Sequence, residues 1–422
     1  MTNTRIIADK LTVSNDTYLT GLNNNDLIIG SSGSGKTGGY VIPNLQNING
    51  SMIVSDTKGQ LSRRFKTELN AKGYDVYTLD FVNPEKSCGY NPLAQIRRYK
   101  SGKYREQDIL TLANTLMPPL DEAEPFWEKS AAGFLTLLIA FCLEALPEDE
   151  HNMMSVCELY NASISSGNGM LPFEKWAMEH PESYTARKLP QIQASLKADK
   201  MWSSIREFLN RALEPFLFDE ARSIFANPIS FSPAVLGQRK TVLFLNVSDT
   251  DSSFDQFVNT FYTQTLQQLC CLANENPDGR LKVPVRIIID DFASSAKIPN
   301  FTKIISVIRS RDISVSLVIQ SMTQLEEMYN HAEALTIVNN CDHLLFLGCQ
   351  DMETAEFIGC RAFKTADWVL CMPRDKAIVI RNGSKAVVVD RIKPYSTLEN
   401  GNNLFENDQE FEDYEDDSDY TT

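Results

Sequence analysis

The sequence lacks the markers of several functional classes. Its nine cysteines form no C-x-x-C pair, and none of its four histidines stands at metal-ligand spacing. That argues against a Cys/His metal site, and the odd cysteine count reads as buried, inert thiols in a reducing compartment. Residues 1–10 have no apolar stretch, so no signal peptide is expected. The longest apolar run, 133–146, is interrupted by Glu144 and falls short of the roughly 20 residues a bilayer span needs. The expectation is a cytoplasmic chain that meets the inner face of a membrane only through partners. Basic charge is also scarce, with a net charge of −15, but the acidity is uneven. Nine acidic and no basic residues fall within 404–422, and without them the net charge is −6. Acidity therefore speaks against nucleic acid wrapping the whole surface, not against a local basic channel.

What is present centres on residues 26–37, Asp-Leu-Ile-Ile-Gly-Ser-Ser-Gly-Ser-Gly-Lys-Thr. A short apolar strand breaks into a loop of Gly30, Ser31, Ser32, Gly33, Ser34 and Gly35, and a helix is predicted over 37–46. Gly30, Gly35, Lys36 and Thr37 stand at the G-x-x-x-x-G-K-[ST] spacing. Glycines let the backbone curl so that consecutive N–H groups face phosphate oxygens, and the helix adds its positive end. Lys36 would reach the β- and γ-phosphates of ATP, and the Thr37 hydroxyl would be a ligand of Mg2+. A chance Gly/Ser loop is the competing explanation, and the strand before and helix after argue against it.

A length of 422 residues allows two to three domains, or one large α/β domain with an insertion. Residues 1–25 read as a short leader with some β character at 18–22. A buried strand follows at 51–56, ending in Asp56. The helix over 58–72 places Leu61, Phe65 and Leu69 on one face, and a strand over 74–79 completes a strand, helix, strand alternation. This pattern predicts an α/β fold with a mainly parallel sheet, right-handed crossovers and ligands at the carboxyl ends of strands. The first part of the nucleotide-binding domain is placed at 26–96. Over 97–231 strand-like runs give way to helical stretches at 106–116, 126–145, 154–160, 172–179 and 187–213, read as an inserted all-α domain. Arg97, Arg98, Lys100, Lys103 and Arg105 either touch a polyanion or form a solvated face.

The sheet resumes at 241–247, and the second part of the nucleotide-binding domain is placed at 232–400. After a helix over 254–274, the apolar run 284–291 ends in Asp290 and Asp291, a Walker B pattern. Asp290 would hold Mg2+ through its water shell, and Asp291 would orient or deprotonate the attacking water. A helix over 300–309 leads to Arg309 and Arg311, read either as fingers reaching a neighbouring subunit's phosphates or as salt-bridging arginines. The strand 314–320 ends in Gln320, placed to sense the γ-phosphate or else to cap a helix. Strands at 343–348, 376–380 and 386–390 follow, the last pair joined at Asn382-Gly383. The acidic tail, 401–422, is expected to be disordered.

Taken in order, these pieces resemble the type IV secretion coupling proteins, the TraG-like ATPases of conjugative plasmids and integrative elements. The matching segments run from about 23 to 390: the phosphate loop, Ser51-Met-Ile-Val-Ser-Asp-Thr-Lys-Gly59, Gly89-Tyr-Asn-Pro-Leu93, Pro125-Phe-Trp-Glu128, Ile289-Asp-Asp-Phe-Ala293, Gln320-Ser-Met-Thr-Gln-Leu325, and Asn340-Cys-Asp through Gly348. The resemblance implies a RecA-like P-loop NTPase with an all-α domain, hexameric around a DNA channel. It implies ATP-driven passage of relaxase-bound single-stranded DNA into a secretion channel, alongside secretion-channel ATPases and a membrane-anchoring partner. It also puts Asp56 and Lys58 among the nucleotide-contacting residues. Three departures accompany it. Members typically carry transmembrane helices before the phosphate loop, where this chain has 29 residues ahead of Gly30. Asp56-Thr-Lys-Gly-Gln60 stands in place of Asp-Pro-Lys-Gly-Glu, and Asp290-Asp291 in place of Asp-Glu. The shorter Asp291 carboxylate leaves open a second role, a docking platform that binds nucleotide and scarcely cleaves it. A double-stranded DNA pump of related architecture is disfavoured by Tyr90-Asn-Pro-Leu93 and Phe126-Trp-Glu128.

Overall fold

The computed structural model describes residues 3–118, 126–165, 169–196, 199–227, 230–248, 250–293 and 297–393. The expected disordered tail, 401–422, and Pro125 lie outside the described residues. The chain divides into two compact units, the first comprising Met1–Met52, Val285–Ser294 and Ile305–Thr422, the second Ile53–Pro284 and Ser295–Ile304. The strands are β1 (Thr4–Ala8), β2 (Leu11–Ser14), β3 (Asp26–Ile29), β4 (Ser51–Ser55), β5 (Asp75–Asp80), β6 (Thr241–Asn246), β7 (Val285–Ile289), β8 (Ile313–Ile319), β9 (His343–Phe346), β10 (Lys376–Arg381) and β11 (Val387–Asp390).

In the first unit the strand order is β11-β10-β9-β3-β8-β7. The pairs β3 with β8, β3 with β9 and β7 with β8 are parallel, while β10 runs antiparallel to both β9 and β11. Every residue of β3, β7, β8 and β9 is buried, as expected of parallel strands covered on both faces. Register decides where the site lies. Ile29 pairs with Ile319 and with Phe346, and Ile289 pairs with Leu317. The carboxyl ends of four strands therefore finish at nearly one level, and Gly30, Asp290 and Gln320 each begin the segment beyond that rim.

In the second unit β5 and β6 are parallel, in register from Asp75 with Thr241 to Asp80 with Asn246. Between them the described residues hold helices and no strand: Glu106–Leu116, Phe126–Ala145, Met153–Ser165, Leu171–Glu179, Tyr184–Leu196, Asp199–Leu213 and Asp219–Phe225. The stretch expected as helical over 187–213 is described as Tyr184–Leu196, which carries Pro190 inside it, and Asp199–Leu213. Phe126–Ala145 is the one helix among the described residues long and apolar enough to cross a membrane, yet 72% of its most apolar window is buried in the protein. Phe134 packs edge-on against Trp202 at 5.4 Å, and Phe141 lies 4.5 Å from Phe173. A helix apolar on all sides is here the centre of a helical core.

Two local expectations need correction and one, the helix over 37–46, is refined. Residues 18–22 are not β: Thr17–Thr20 is a helical turn, its N-terminus capped by the Asp16 carboxylate and closed by Gly21 at φ 71°. The strands of the leader lie earlier, as the antiparallel β1–β2 pair. The helix after the phosphate loop opens as a π-turn over Thr37–Val41 before becoming α over Ile42–Gln46. Pro43, inside that α segment, has no N–H to give. Finally, Cys142 and Cys157 are buried, with thiols pushed up to about 12, but Cys360 and Cys371 are exposed.

Candidate functional site

The phosphate loop is tied to both neighbouring strands of the first unit. Gly30 N donates to Ile319 O at 3.1 Å, and Ser31 N donates to Gly348 O at 3.0 Å. A Cβ on Gly30 would stand 2.4 Å from Ser34 Oγ and 3.3 Å from Lys36 Cγ, so the curl of the loop leaves no room for a side chain there. Gly33 and Gly35 sit at φ 73° and 80°, a region open to glycine at little steric cost. Lys36 folds back over the loop, Nζ donating to Gly30 O at 2.8 Å and Ser31 O at 3.2 Å. Ser34 Oγ is buried with no hydrogen-bond partner among the described residues. Buried polar atoms are rarely left so, and a cradle for phosphate oxygens accounts for it.

Across the rim β7 delivers the two carboxylates. Thr37 Oγ1 donates to Asp290 Oδ2 at 2.8 Å, joining positions 253 apart in sequence. Asp291 turns into the left-handed region at φ 51°, its N–H bonded to Asp290 Oδ1 at 3.1 Å. Aspartate tolerates that conformation better than glutamate does. Gln320 Nε2 then donates to Asp291 Oδ1 at 3.3 Å. Burial pushes the Lys36 ammonium down against the pull of Asp291 and Asp290. Burial and the neighbouring Asp291 charge push the Asp290 carboxyl up, with the Thr37 hydroxyl opposing. Burial disfavours both charges, and an anion beside Lys36 or a cation beside Asp290 would oppose it. The donor set suits Mg2+: a hydroxyl and a carboxylate oxygen already adjacent, both hard ligands. No group of three or more metal-binding side chains occurs among the described residues, and Mg2+ usually takes one or two protein oxygens, completing its shell with phosphate and water.

Lys36, Thr37, Asp290, Asp291 and Gln320 thus converge. Other residues singled out from the sequence are engaged elsewhere. Asp56, in the second unit, accepts from Gln60 N at 3.0 Å and Ser62 N at 2.9 Å, closing the first turn of Gln60–Ala71 where the N-cap is Gly59. Lys58 beside it is exposed. Arg309 and Arg311 form a 3-10 turn ahead of β8, and donate to Thr17 O and Val307 O. Gln320 follows β8, so a seven-residue strand, about 23 Å long, separates the arginines from the carboxylates of their own chain. In the basic cluster Arg97 pairs with Asp108, Arg98 with Glu148 and over the Tyr104 ring, and Arg105 lies over Tyr99. Lys100 and Lys103 remain on the surface. Two arginines escaped the sequence reading. Arg391 donates from Nη1 to Ser34 O at 2.9 Å, and Arg5 is bound to Asp26 at the opposite end of β3. Neither stands at a motif spacing, since their partners are fixed by the fold.

A glycine-rich loop between strand and helix, a lysine folded over it, and a strand-terminal aspartate bonded to the loop threonine define a P-loop site on a mainly parallel sheet. The fold is that of a RecA-like NTPase. The profile of the family described as Type IV secretory system Conjugative DNA transfer matches residues 2–362, and the chain belongs to that family. It is 23% identical over 351 residues to protein VirD4 of Agrobacterium fabrum, covering 81% of this chain and 50% of that one. The chain spans about half the length of the relatives it matches by sequence. Among solved structures it is similar to the bacterial conjugative coupling protein TrwBdeltaN70 in its sulphate-bound trigonal form, with a TM-score of 0.65 at 15% identity, covering 87% of this chain and 85% of that one. The plasmid coupling protein TrwB in complex with ADP and Mg2+ gives a TM-score of 0.63 at 16% identity over 90% and 86% of the two chains.

Proposed function

We propose that this chain is an ATP-hydrolysing coupling protein that receives relaxase-bound single-stranded DNA and drives it into a type IV secretion channel. The observation that carries the reading is the 2.8 Å bond from Thr37 Oγ1 to Asp290 Oδ2, with Lys36 over the same loop. Membership in a conjugative DNA-transfer family and a fold shared with nucleotide-bound TrwB support it. Lys36 exchanges the Gly30 and Ser31 carbonyls for the β- and γ-phosphates of ATP. Thr37 and Asp290 hold Mg2+, which when bound neutralises charge developing on the phosphates. Asp291 orients the attacking water and accepts its proton, and Gln320, bonded to Asp291, reports whether the γ-phosphate is present. Arg309 and Arg311 act on the nucleotide of the next subunit in a homo-hexamer. Residues 97–231 form an all-α domain between the two parts of the nucleotide-binding domain. Secretion-channel ATPases and a membrane-anchoring partner hold the assembly at the inner face of the membrane.

A second reading, a nucleotide-bound docking platform with little turnover, is favoured by one observation: Asp291, with its short side chain, sits at φ 51° and is bonded to Gln320. Phosphate release from the purified chain, with and without single-stranded DNA, separates the two. DNA-stimulated turnover supports the motor. Tight nucleotide binding with turnover at background in both conditions sinks it in favour of the platform.

A further inference from the structure

The phosphate loop is braced from outside by Arg391, a residue no motif points to. It follows β11, and the chain there is pinned on both sides: Asp9 N donates to Asp390 O at 3.1 Å, and Arg391 N donates to Asp375 O at 3.0 Å. A Cβ on Gly39 would stand 3.5 Å from Ile392 O, so this segment lies against the first turn after the loop. From that platform Arg391 Nη1 donates to the Ser34 carbonyl at 2.9 Å. Ser34 lies between Gly33 at φ 73° and Gly35 at φ 80°, the most freely rotating part of the loop. The peptide joining Ser34 to Gly35 is planar and trans, so its C=O and N–H point in opposite directions. Holding the carbonyl toward Arg391 aims the Gly35 N–H away from Arg391, into the curl of the loop. That N–H finds no acceptor among the described residues. The adjacent Ser34 Oγ is buried and also has no partner among the described residues.

We infer that Arg391 is a positioning residue for nucleotide binding: it locks the Ser34–Gly35 peptide so that the Gly35 N–H is already aimed at the phosphates shared by ATP and ADP. This rests on the nucleotide-binding reading above. Without the arginine the peptide joining Ser34 to Gly35 can flip, and part of the binding energy goes into restoring its orientation. A charge-assisted hydrogen bond is worth about ten-fold in affinity. Because the donor set up in this way meets phosphates present in both nucleotides, ATP and ADP lose affinity together.

The test is equilibrium binding of fluorescent ATP and ADP analogues to the full chain, with thermal unfolding followed in parallel. Arg391→Ala is expected to weaken both nucleotides about ten-fold, raise KM by a similar factor and leave kcat within about two-fold. Arg391→Lys, which can still donate to one carbonyl, recovers most of the loss, and it serves as the readout if the alanine variant unfolds. Unchanged affinity in folded Arg391→Ala overturns the inference. So does a loss confined to ATP, which would make Arg391 a γ-phosphate contact, or a loss that lysine does not restore. Failure of the wild-type chain to bind either nucleotide sinks the parent reading instead, and the two failures are told apart by that control.

Discussion

The two ends of β3 treat charge in opposite ways. At its start, Asp26 is buried and its carboxylate is surrounded: Arg5 Nε at 2.8 Å and Nη2 at 3.0 Å, Arg286 Nη1 at 3.1 Å, and the Tyr40 hydroxyl at 2.5 Å. Ser316 and His343 complete the cluster through Tyr40, Arg286 and Arg5. Burial alone would raise the Asp26 carboxyl, but Arg5, Arg286 and His343 together hold it below its ordinary value. At the other end, four residues and about 13 Å away, the arrangement differs. Lys36 rests on carbonyls of its own loop, Asp290 is pushed up, Asp291 holds a left-handed backbone and Ser34 Oγ has no partner among the described residues. Satisfied charge at the first end fastens β1, β3, β7, β8 and β9 together. At the second end Lys36 rests on neutral carbonyls rather than on a bonded counter-charge. Strain and orphaned donors of this kind persist where the surrounding fold over-determines them.

Substitutions at the two ends should therefore fail in different measurements. The largest expected effect is at the ligand end: Lys36→Ala reduces ATP turnover to background, a loss of at least about a thousand-fold, while the melting temperature is held or rises slightly. Wild-type phosphate release by that variant would remove the phosphate loop from the mechanism. At the other end Asp26→Ala leaves Arg5 and Arg286 buried without their counter-charge, which destabilises by about 3–5 kcal/mol, read from denaturant unfolding. If the midpoint scarcely moves, the cluster is not what fastens the strands. A smaller, purely catalytic loss is expected from Asp291→Asn. Asparagine accepts the left-handed backbone as readily as aspartate, so the fold is kept, and kcat falls about a hundred-fold as the base is removed. An unchanged kcat would assign the water to another group.

The same contrast explains how much was legible in the sequence. The loop end was, because its pattern is local: Gly30, Gly35, Lys36 and Thr37 stand at a fixed spacing, and Asp290-Asp291 close an apolar run. The turn at Asp291 and its bond to Gln320 were not, since both depend on where β8 ends beside β7. The structural end was almost invisible. Arg5 lies in a segment read only as a short leader, and its partner Asp26 looks from sequence like the ordinary polar start of a strand. Tyr18 and Leu19 suggested a strand by residue type, but both are exposed, and Asp16 winds them into a helical turn. Arg391 reaches a loop 357 positions away, a distance over which spacing carries no information.

The last effect concerns pH and the satisfied end. His343 Nδ1 lies 2.8 Å from Arg5 Nη2. Arginine has only donors to offer, so Nδ1 accepts and the neutral ring carries its proton on Nε2. Burial, with Arg5 and Arg381 acting the same way against Asp26 and Asp342, pushes the imidazole down from 6.5 to about 4. Between those two values the unfolded chain takes up a proton that the folded chain refuses. Stability then falls as pH drops through this window and levels off below about 4. Asp255, pushed up to about 6 by burial and by Asp251, titrates in the same range with the opposite sign, so the wild-type curve alone is ambiguous. The readout is the difference between wild type and His343→Gln, whose side-chain carbonyl can still accept from Arg5. That difference should shrink by about 3 kcal/mol on going from pH 7 to pH 4. A difference that stays level across the window would mean that folding leaves the imidazole at its ordinary value, and that neither burial nor Arg5 holds the ring neutral.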